Sequence, residues 1–391
     1  MKERSIGKMN KISVDRVNQF LLYKQHLTEN SRIDDIVQIV NDISGLHATS
    51  PKTPYQSLFA RTRSFKKEYL DEELYIKRNL GRIRCIRKTI YVLTKEMIPI
   101  FYTATKKMVE KASKQYAEFR GFSSEKYEEI SKSILDILKS REMTASEIKR
   151  TLKIQLDVSA ILYLMCDKGL LMRSRPRKYS SFREYFPNIN LTKMNEMEAI
   201  TLLVQHYLSS FGPATENDIV WWTGLSKTQI RQALNSIQKE TIHVKILNLK
   251  GNFIMLRSDE NLIKNIDPPK NLVVNLLPIL DPYLMGYKDR QRYLDHKHYD
   301  KIFDRSGNAT STILLDGRVI GVWDYKDELI KLFPFEKVEE DIVKRIYLEA
   351  RRIGKFIADK EVQIKECTSM TSLTQRTAGG VMSPLKDCGM L

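Results

Sequence analysis

The residues of this sequence best able to do chemistry are scattered, and no common catalytic signature joins them. The chain has no GxGxxG, P-loop, HExxH or GxSxG pattern. Smaller constellations remain. Within Leu46-His47-Ala48-Thr49-Ser50, His47 and Thr49 stand two apart. In an extended strand that spacing puts both on one face and turns Ala48 to the other. A histidine near its ordinary pKa of about 6.5 orients or deprotonates water, and a threonine hydroxyl holds the same water. The plainer role for both is a strand residue satisfied by backbone. Arg84, Arg87 and Lys88 form one basic cluster, and Arg175, Arg177, Lys178 and Arg183 form another. Arginine suits phosphate because its planar fork bonds two oxygens at once; the alternative is a solvated charged loop. Asp281 precedes Pro282 and reads as a turn-starting aspartate, or else as a second carboxylate facing a cleft. His296 and His298 form an HxH pair in a charged stretch without a third ligand nearby, which reads as a solvated loop and not a metal site.

The bulk of the chain points to a polyanionic partner. Lys plus Arg is 65 against Asp plus Glu at 48, a formal net charge of +17, and each phosphate neutralised by such a surface releases counterions. The four cysteines (Cys85, Cys166, Cys367, Cys388) lie far apart and form no CxxC pair. That argues against a zinc finger and a disulfide framework and fits a reducing compartment. No apolar run approaches the ~18–20 residues that span a bilayer, and the first residues carry no signal-peptide core. The expectation is a cytoplasmic, nucleoid-associated protein.

Helices and hairpins must position these side chains. Residues 13–27 have apolar residues at helical spacing behind a Ser cap. A second helix is predicted over about 32–44, stopped by Gly45. The extended piece 46–50 ends at Pro51, and Thr53-Pro54 opens a helix to about residue 63. Another helix starts near Lys67, and two strands around a basic turn follow within 83–93. Helices followed by a hairpin are the winged-helix order. The order recurs with a helix over 124–138, a Thr144/Glu147 capping box, a helix over 158–168, a strand over 170–173 and a basic wing over 175–183. It recurs again with a helix from near 191 to 211, a short helix bearing Trp221 and Trp222, a helix over 226–237, and strands over 242–247 and 253–256. These tryptophans, with Trp323, are expected to fill cores. From Asn271 the texture turns strand-like, with Asp316-Gly317 as a hairpin turn and a closing helix over 338–358. The expected fold is mainly α with small β elements: tandem winged-helix (helix-turn-helix) domains plus a C-terminal antiparallel β-barrel or sheet. The units are a first winged helix over 10–115, a second over 120–188, a third over 190–262, and a β-barrel-like domain with its closing helix over 268–365. A disordered Ser/Thr/Gly-rich tail is expected over 366–391, dispensable for the fold.

Several blocks, in order over residues 12–335, carry a resemblance. They are Gly45-Leu-His-Ala-Thr-Ser-Pro51, Ser57-Leu-Phe-Ala-Arg61, Arg84-Cys-Ile-Arg87-Lys-Thr-Ile-Tyr-Val-Leu93, Phe211-Gly-Pro-Ala-Thr215 with Trp221-Trp222-Thr-Gly-Leu225, Leu276 through Arg290, and Asp316 through Trp323. The ordered set resembles the winged-helix DNA glycosylases of the YcaQ/AlkZ type, the crosslink repair DNA glycosylases. The resemblance implies tandem winged helices and a β-barrel around a DNA cleft. It implies cleavage of the N-glycosidic bond of alkylated purines and unhooking of interstrand crosslinks. The family's catalytic motif is Gln-apolar-Gln or Gln-apolar-Asp, and the matching positions here are His47 and Thr49, neither of which is Gln. The chemistry tolerates the change in principle: an N7-alkylated purine is cationic and its glycosidic bond already weak, so the enzyme needs only to place a water and stabilise an oxocarbenium-like sugar. Arg61 joins the basic clusters as a DNA-binding candidate, although Arg61 and Arg290 read equally as bridges within the fold. Asp281, Tyr283 and Arg290 are candidates to back the catalytic pair. The resemblance implies no metal or organic cofactor. It implies a monomer acting on damaged or crosslinked double-stranded DNA, away from membranes. A non-catalytic winged-helix regulator is the alternative, expected as a dimer on symmetric half-sites; a protein-interaction scaffold is a third.

Overall fold

Short polar caps set many of the helix starts in this chain. Ser13, Asp35, Ser123, Thr144, Asn195, Thr215 and Ser226 each accept a backbone N–H from the turn that follows. Each satisfies a donor that has no partner inside a helix. In the computed structural model, which describes residues 11–269, 271–375 and 380–391, these starts punctuate one pattern three times. The first copy is helix Ile36–Asp42, strand Leu46–His47, helices Thr53–Phe59 and Lys67–Asp71, and strands Leu80–Arg84 and Ile90–Thr94. The second is helix Ser124–Ile137, strand Met143–Thr144, helices Ala145–Thr151 and Ser159–Asp167, and strands Leu171–Arg175 and Lys178–Ser181. The third is helix Glu196–Phe211, strand Ala214–Thr215, helices Glu216–Thr223 and Lys227–Ser236, and strands Thr241–Ile246 and Phe253–Leu256. In every copy the last strand is central, flanked by the other two. The third sheet gains strand Lys11–Ile12, which runs parallel to Thr241–Ile246.

One helix for which the sequence reading predicts nothing joins the copies. Met97–Phe119 runs for 23 residues and packs against the first helix of the third copy, helix Ser159–Asp167 of the second and strand Leu80–Arg84 of the first. Its buried side chains Ile98, Phe101, Tyr102, Thr105, Val109, Ser113 and Ala117 recur every three or four positions, the spacing of one helix face.

The cores show which units depend on one another. The first copy shares a hydrophobic cluster with the C-terminal sheet and helix Glu340–Ala358, from Ile39, Leu46 and Leu58 to Ile313, Trp323 and Ile346. The N-terminal helix, the third copy and the segment after Leu277 form a second cluster. The second copy keeps largely to a third.

The C-terminal strands form one open sheet. Its order is Val274–Leu277, Thr312–Leu315, Arg318–Lys326, Leu329–Pro334 and Gln363–Glu366. Neighbours are antiparallel except the last pair, which is parallel. Of the barrel or sheet expected, the C-terminal unit is therefore a sheet with two edges, and it is not wholly antiparallel, because helix Glu340–Ala358 occupies the connection and returns the final strand alongside its predecessor. The expected disordered tail is also corrected over its described residues. Cys367 and Cys388 are joined in a disulfide, against the expectation of none. Leu373, Val381 and Leu385 are buried, and Thr310, Lys331 and Arg305 donate to the carbonyls of Val381, Leu385 and Thr374. These apolar residues follow no period, yet all three are buried and the segment is tied by its carbonyls to the preceding domain. No helix among the described residues is long and apolar enough to cross a membrane.

Candidate functional site

The short strand Leu46–His47 exists because the chain turns sharply at Gly45. Its φ is +92°, and a Cβ there would stand 2.4 Å from Leu93 and 3.0 Å from the Val92 carbonyl. Only glycine lets helix Ile36–Asp42 hand over to the strand in that space. The strand then pairs with Ile90–Thr94, His47 opposite Tyr91, and the Ala48 N–H extends the ladder to the Ile90 carbonyl. Thr49 departs from the expectation: it lies in a bend and is exposed, because the chain is already turning into the helix that carries Pro54 near its start. His47 and Thr49 therefore do not share a strand face. They meet through the backbone instead, the Thr49 N–H donating to His47 Nδ1 at 3.4 Å.

That contact, with burial, defines the state of His47. The side chain is 5% exposed and its ring centroid lies 5.3 Å from that of Tyr91. Burial, reinforced by the charge of Arg87, pulls its pKa down to about 4. The ring is thus neutral near pH 7. A neutral imidazole has one acceptor and one donor nitrogen. With Nδ1 accepting from Thr49, the proton sits on Nε2, and His47 presents an N–H donor. The proton-accepting role open to it from the sequence does not fit this arrangement.

The basic turn beside the strand is folded inwards. Arg87 lies with its guanidinium 4.1 Å from the Trp221 ring centroid and donates to the Ser306 carbonyl. Arg84 pairs with Asp167 at 2.9 Å, binding the first copy to the second; burial pushes the Asp167 carboxyl up to about 6 against that pull. Lys88, Arg177 and Arg183 are exposed and Lys178 is half-buried, leaving these cations facing solvent.

Arg61 is corrected outright as a DNA contact. It is 0% exposed and forks onto Asp281 through Nη1 and Nη2 at 2.9 and 2.8 Å. Asp281 also accepts from Ser57 Oγ and from the Tyr283 N–H, capping helix Pro282–Met285. It is both the turn-starting residue and a bridge between the first copy and the C-terminal domain, so neither side chain reaches DNA. Tyr283 is buried and donates to the Gly317 carbonyl. Arg290 is 5% exposed, its donors spent on Tyr287, Tyr299 and Gly307. These three residues brace the fold without touching His47. Sequence reasoning missed Tyr91, the cross-strand neighbour of His47, and Trp221, which is half-buried beneath two arginines while Trp222 and Trp323 fill cores at 2% exposure. The Tyr91 signal was available in the strand pairing; the Trp221 contact joins distant parts of the chain and leaves none. Among the described residues no three His, Cys, Asp or Glu side chains gather as a metal site.

Comparison with known proteins agrees with this architecture. An interstrand DNA cross-link repair glycosylase of Streptomyces sahachiroi is 26% identical over 162 residues, which make up 40% of this chain and 43% of that protein. The match thus spans less than half the length of that relative. The solved Streptomyces sahachiroi DNA glycosylase AlkZ superposes with a TM-score of 0.75 over 91% of this chain and 100% of that one, at 19% identity, a likeness of fold. The model of the AlkZ-like DNA glycosylases matches residues 40–356, from the helix before His47 to the last turns of the closing helix, and the chain belongs to that family.

Proposed function

We propose that this chain is a DNA glycosylase that hydrolyses the N-glycosidic bond of alkylated purines in duplex DNA and unhooks interstrand crosslinks. It acts as a monomer and without metal or organic cofactor. Each of the three repeated units is read as a winged helix, with the wing over residues 175–178 and the exposed Lys88 resting on phosphates. The observation that carries the proposal is the state of His47. It stands where the family places a glutamine, and its neutral ring with an Nε2–H offers what a glutamine amide offers, a fixed uncharged donor. A positive charge at that point would repel both a cationic alkylpurine and the oxocarbenium-like sugar; burial of His47 removes it. The donor can hold a water against the sugar, and the cationic base needs little further help to leave.

The test is release of free base from a duplex containing N7-methylguanine. His47→Ala should lower the rate by 10²-fold or more, and His47→Gln should retain it. Because the neutral donor is the active form, the rate should stay flat from pH 6 to 8 and fall only as pH approaches 4. A wild type that binds DNA but releases no base, while His47→Gln with Thr49→Gln does, would favour the non-catalytic regulator. The observation behind that second reading is that Nδ1 is already occupied, so this strand offers no general base.

A further inference from the structure

Two arginines converge on one tryptophan beside the candidate site, and no acid among the described residues pairs with either. The Arg87 and Arg290 guanidiniums lie 4.1 and 5.2 Å from the Trp221 ring centroid. Among the described residues neither forms an ion pair. Arg290 is the inner member, its ring-facing side 3.4 Å from the Phe303 centroid and all its hydrogen bonds made to carbonyls and a phenol. Gly307 makes this packing feasible, since a Cβ there would lie 3.1 Å from Arg290 Nη2 and 3.4 Å from Trp221. Arg87 is the outer member and only half-buried. One of its nitrogens, Nη2, donates to the Ser306 carbonyl; among the described residues Nε and Nη1 have no partner. Asp304, the acid whose field reaches it, is committed to the N–H groups of Ser306 and Asn308 and to the Asn308 amide.

Burial, with Arg290 beside it, opposes the charge on Arg87. The backbone nevertheless holds the side chain there: Arg87 and Lys88 both have left-handed φ values, 48° and 60°, a conformation that ordinary residues avoid and that clusters at functional sites. The turn they form closes the hairpin whose second strand pairs with the strand carrying His47. A guanidinium that among the described residues has no paired anion, keeps two donor nitrogens free and sits in the turn of the hairpin beside the strand of His47 is a site for an oxyanion. On a duplex the recurring oxyanion is the phosphodiester, which matches the fork of arginine.

We infer that Arg87 binds the backbone phosphate adjoining the nucleotide presented to His47, with Trp221 and Arg290 holding it in place. This rests on the DNA reading above and assigns one contact within it. The outcome is a register: the phosphate fixes which sugar faces His47, while the exposed wings grip the duplex without choosing a position.

The test uses the full chain and duplexes carrying an uncleavable tetrahydrofuran abasic site. Each phosphate around that site is replaced in turn by a neutral methylphosphonate. Affinity is measured for the wild type, Arg87→Met, Arg87→Lys and Lys88→Met. Methionine keeps the apolar stack on Trp221, and near-UV circular dichroism checks that the packing survives. One methylphosphonate position should weaken wild-type binding about tenfold and leave Arg87→Met unaffected, whereas Lys88→Met should still respond to it. The slope of log affinity against log salt should fall by about 0.9 in Arg87→Met. Arg87→Lys keeps the charge and should recover the salt slope and part of the affinity, which keeps the test decisive if Arg87→Met loses its packing. If the losses simply multiply at every position, the Arg87 assignment is overturned and the DNA reading stands. If the wild type binds no duplex, both are overturned.

Discussion

The buried pair Arg61–Asp281 is the joint between the first repeated unit and the C-terminal domain, and its removal should be costly in a specific pattern. Both side chains are 0% exposed. Asp281 accepts from the Arg61 fork, from Ser57 and from the Tyr283 N–H, so all of its oxygen capacity is used inside the protein. Replacing it with leucine leaves a guanidinium in a dry site with only the Ser57 carbonyl and a 3.5 Å contact to Gln25. Breaking one partner of such a pair costs about 3–5 kcal/mol, because the survivor is an uncompensated buried charge. Arg61→Met leaves a carboxylate in the same position and should cost a similar amount. The double variant, Arg61→Met with Asp281→Leu, removes both charges and should cost less than the sum, the singles being coupled by roughly 0.5–3 kcal/mol. Urea unfolding followed by far-UV circular dichroism and by tryptophan fluorescence would measure the three variants. Single losses below about 1 kcal/mol, or losses that add, would show that water enters this joint and that the burial argument is wrong.

Three further outcomes are expected. The folded state holds His47 near a pKa of about 4, by burial first and Arg87 second, while an unfolded histidine titrates near 6.5. The unfolded chain therefore takes up the proton first, and stability falls as pH drops from about 6.5 to about 4, by about 3 kcal/mol at the acid end; the difference between wild type and His47→Gln should show that slope, and a flat difference would refute it. Truncation after Lys365 removes buried Leu373, Val381 and Leu385 and the Cys367–Cys388 bridge, so it should lower the melting temperature by several degrees, at roughly 1.5–3 kcal/mol for each fully buried apolar side chain; an unchanged melting curve would mean the tail does not dock. Duplex affinity should fall by roughly 10³–10⁵ between 50 and 200 mM salt if six to ten phosphates are engaged, measured by fluorescence anisotropy, and an affinity indifferent to salt would contradict a phosphate-borne interface.

What the sequence discloses about this fold is what is encoded locally. Ser13, Thr144, Thr215 and Ser226 cap helices at the residues where hydroxyl-bearing side chains precede apolar periodicity. Asp316-Gly317 turns a hairpin between Thr312–Leu315 and Arg318–Lys326, because its residues tolerate the positive φ that a two-residue turn demands. The failures are of another kind. Helix Met97–Phe119 carries its apolar residues at helical spacing, but it belongs to no repeated unit and follows a hairpin that already completes one. Arg61 reads in the sequence equally as a DNA contact and as a bridge within the fold, and only the structure decides for the bridge. Its partner Asp281 is 220 residues away, and no local pattern reports a contact of that range. The tail fails for the same reason: Leu373, Val381 and Leu385 are buried, and their segment is bonded to residues far back in the chain, without the period that marks a self-contained element.

The candidate site shows how a motif position can be legible while its chemistry is not. Spacing placed His47 and Thr49 together, and they are together, but through the Thr49 amide and not its hydroxyl. An exposed histidine at position 47 would titrate near neutrality and invite a general-base role. Here the ring is buried beside its cross-strand neighbour Tyr91, and that burial draws its pKa down to about 4. The same burial that withdraws a base creates an uncharged donor, and Arg87 ensures that the donor stays uncharged. A neutral histidine with its one acceptor nitrogen engaged presents a single N–H donor, as an amide does, and on the proposed reading it acts as one. Under the function proposed above, the departure from glutamine alters the atoms of the site more than its electrostatics, and the demand on catalysis would shift to the leaving group, in favour of bases that are already cationic.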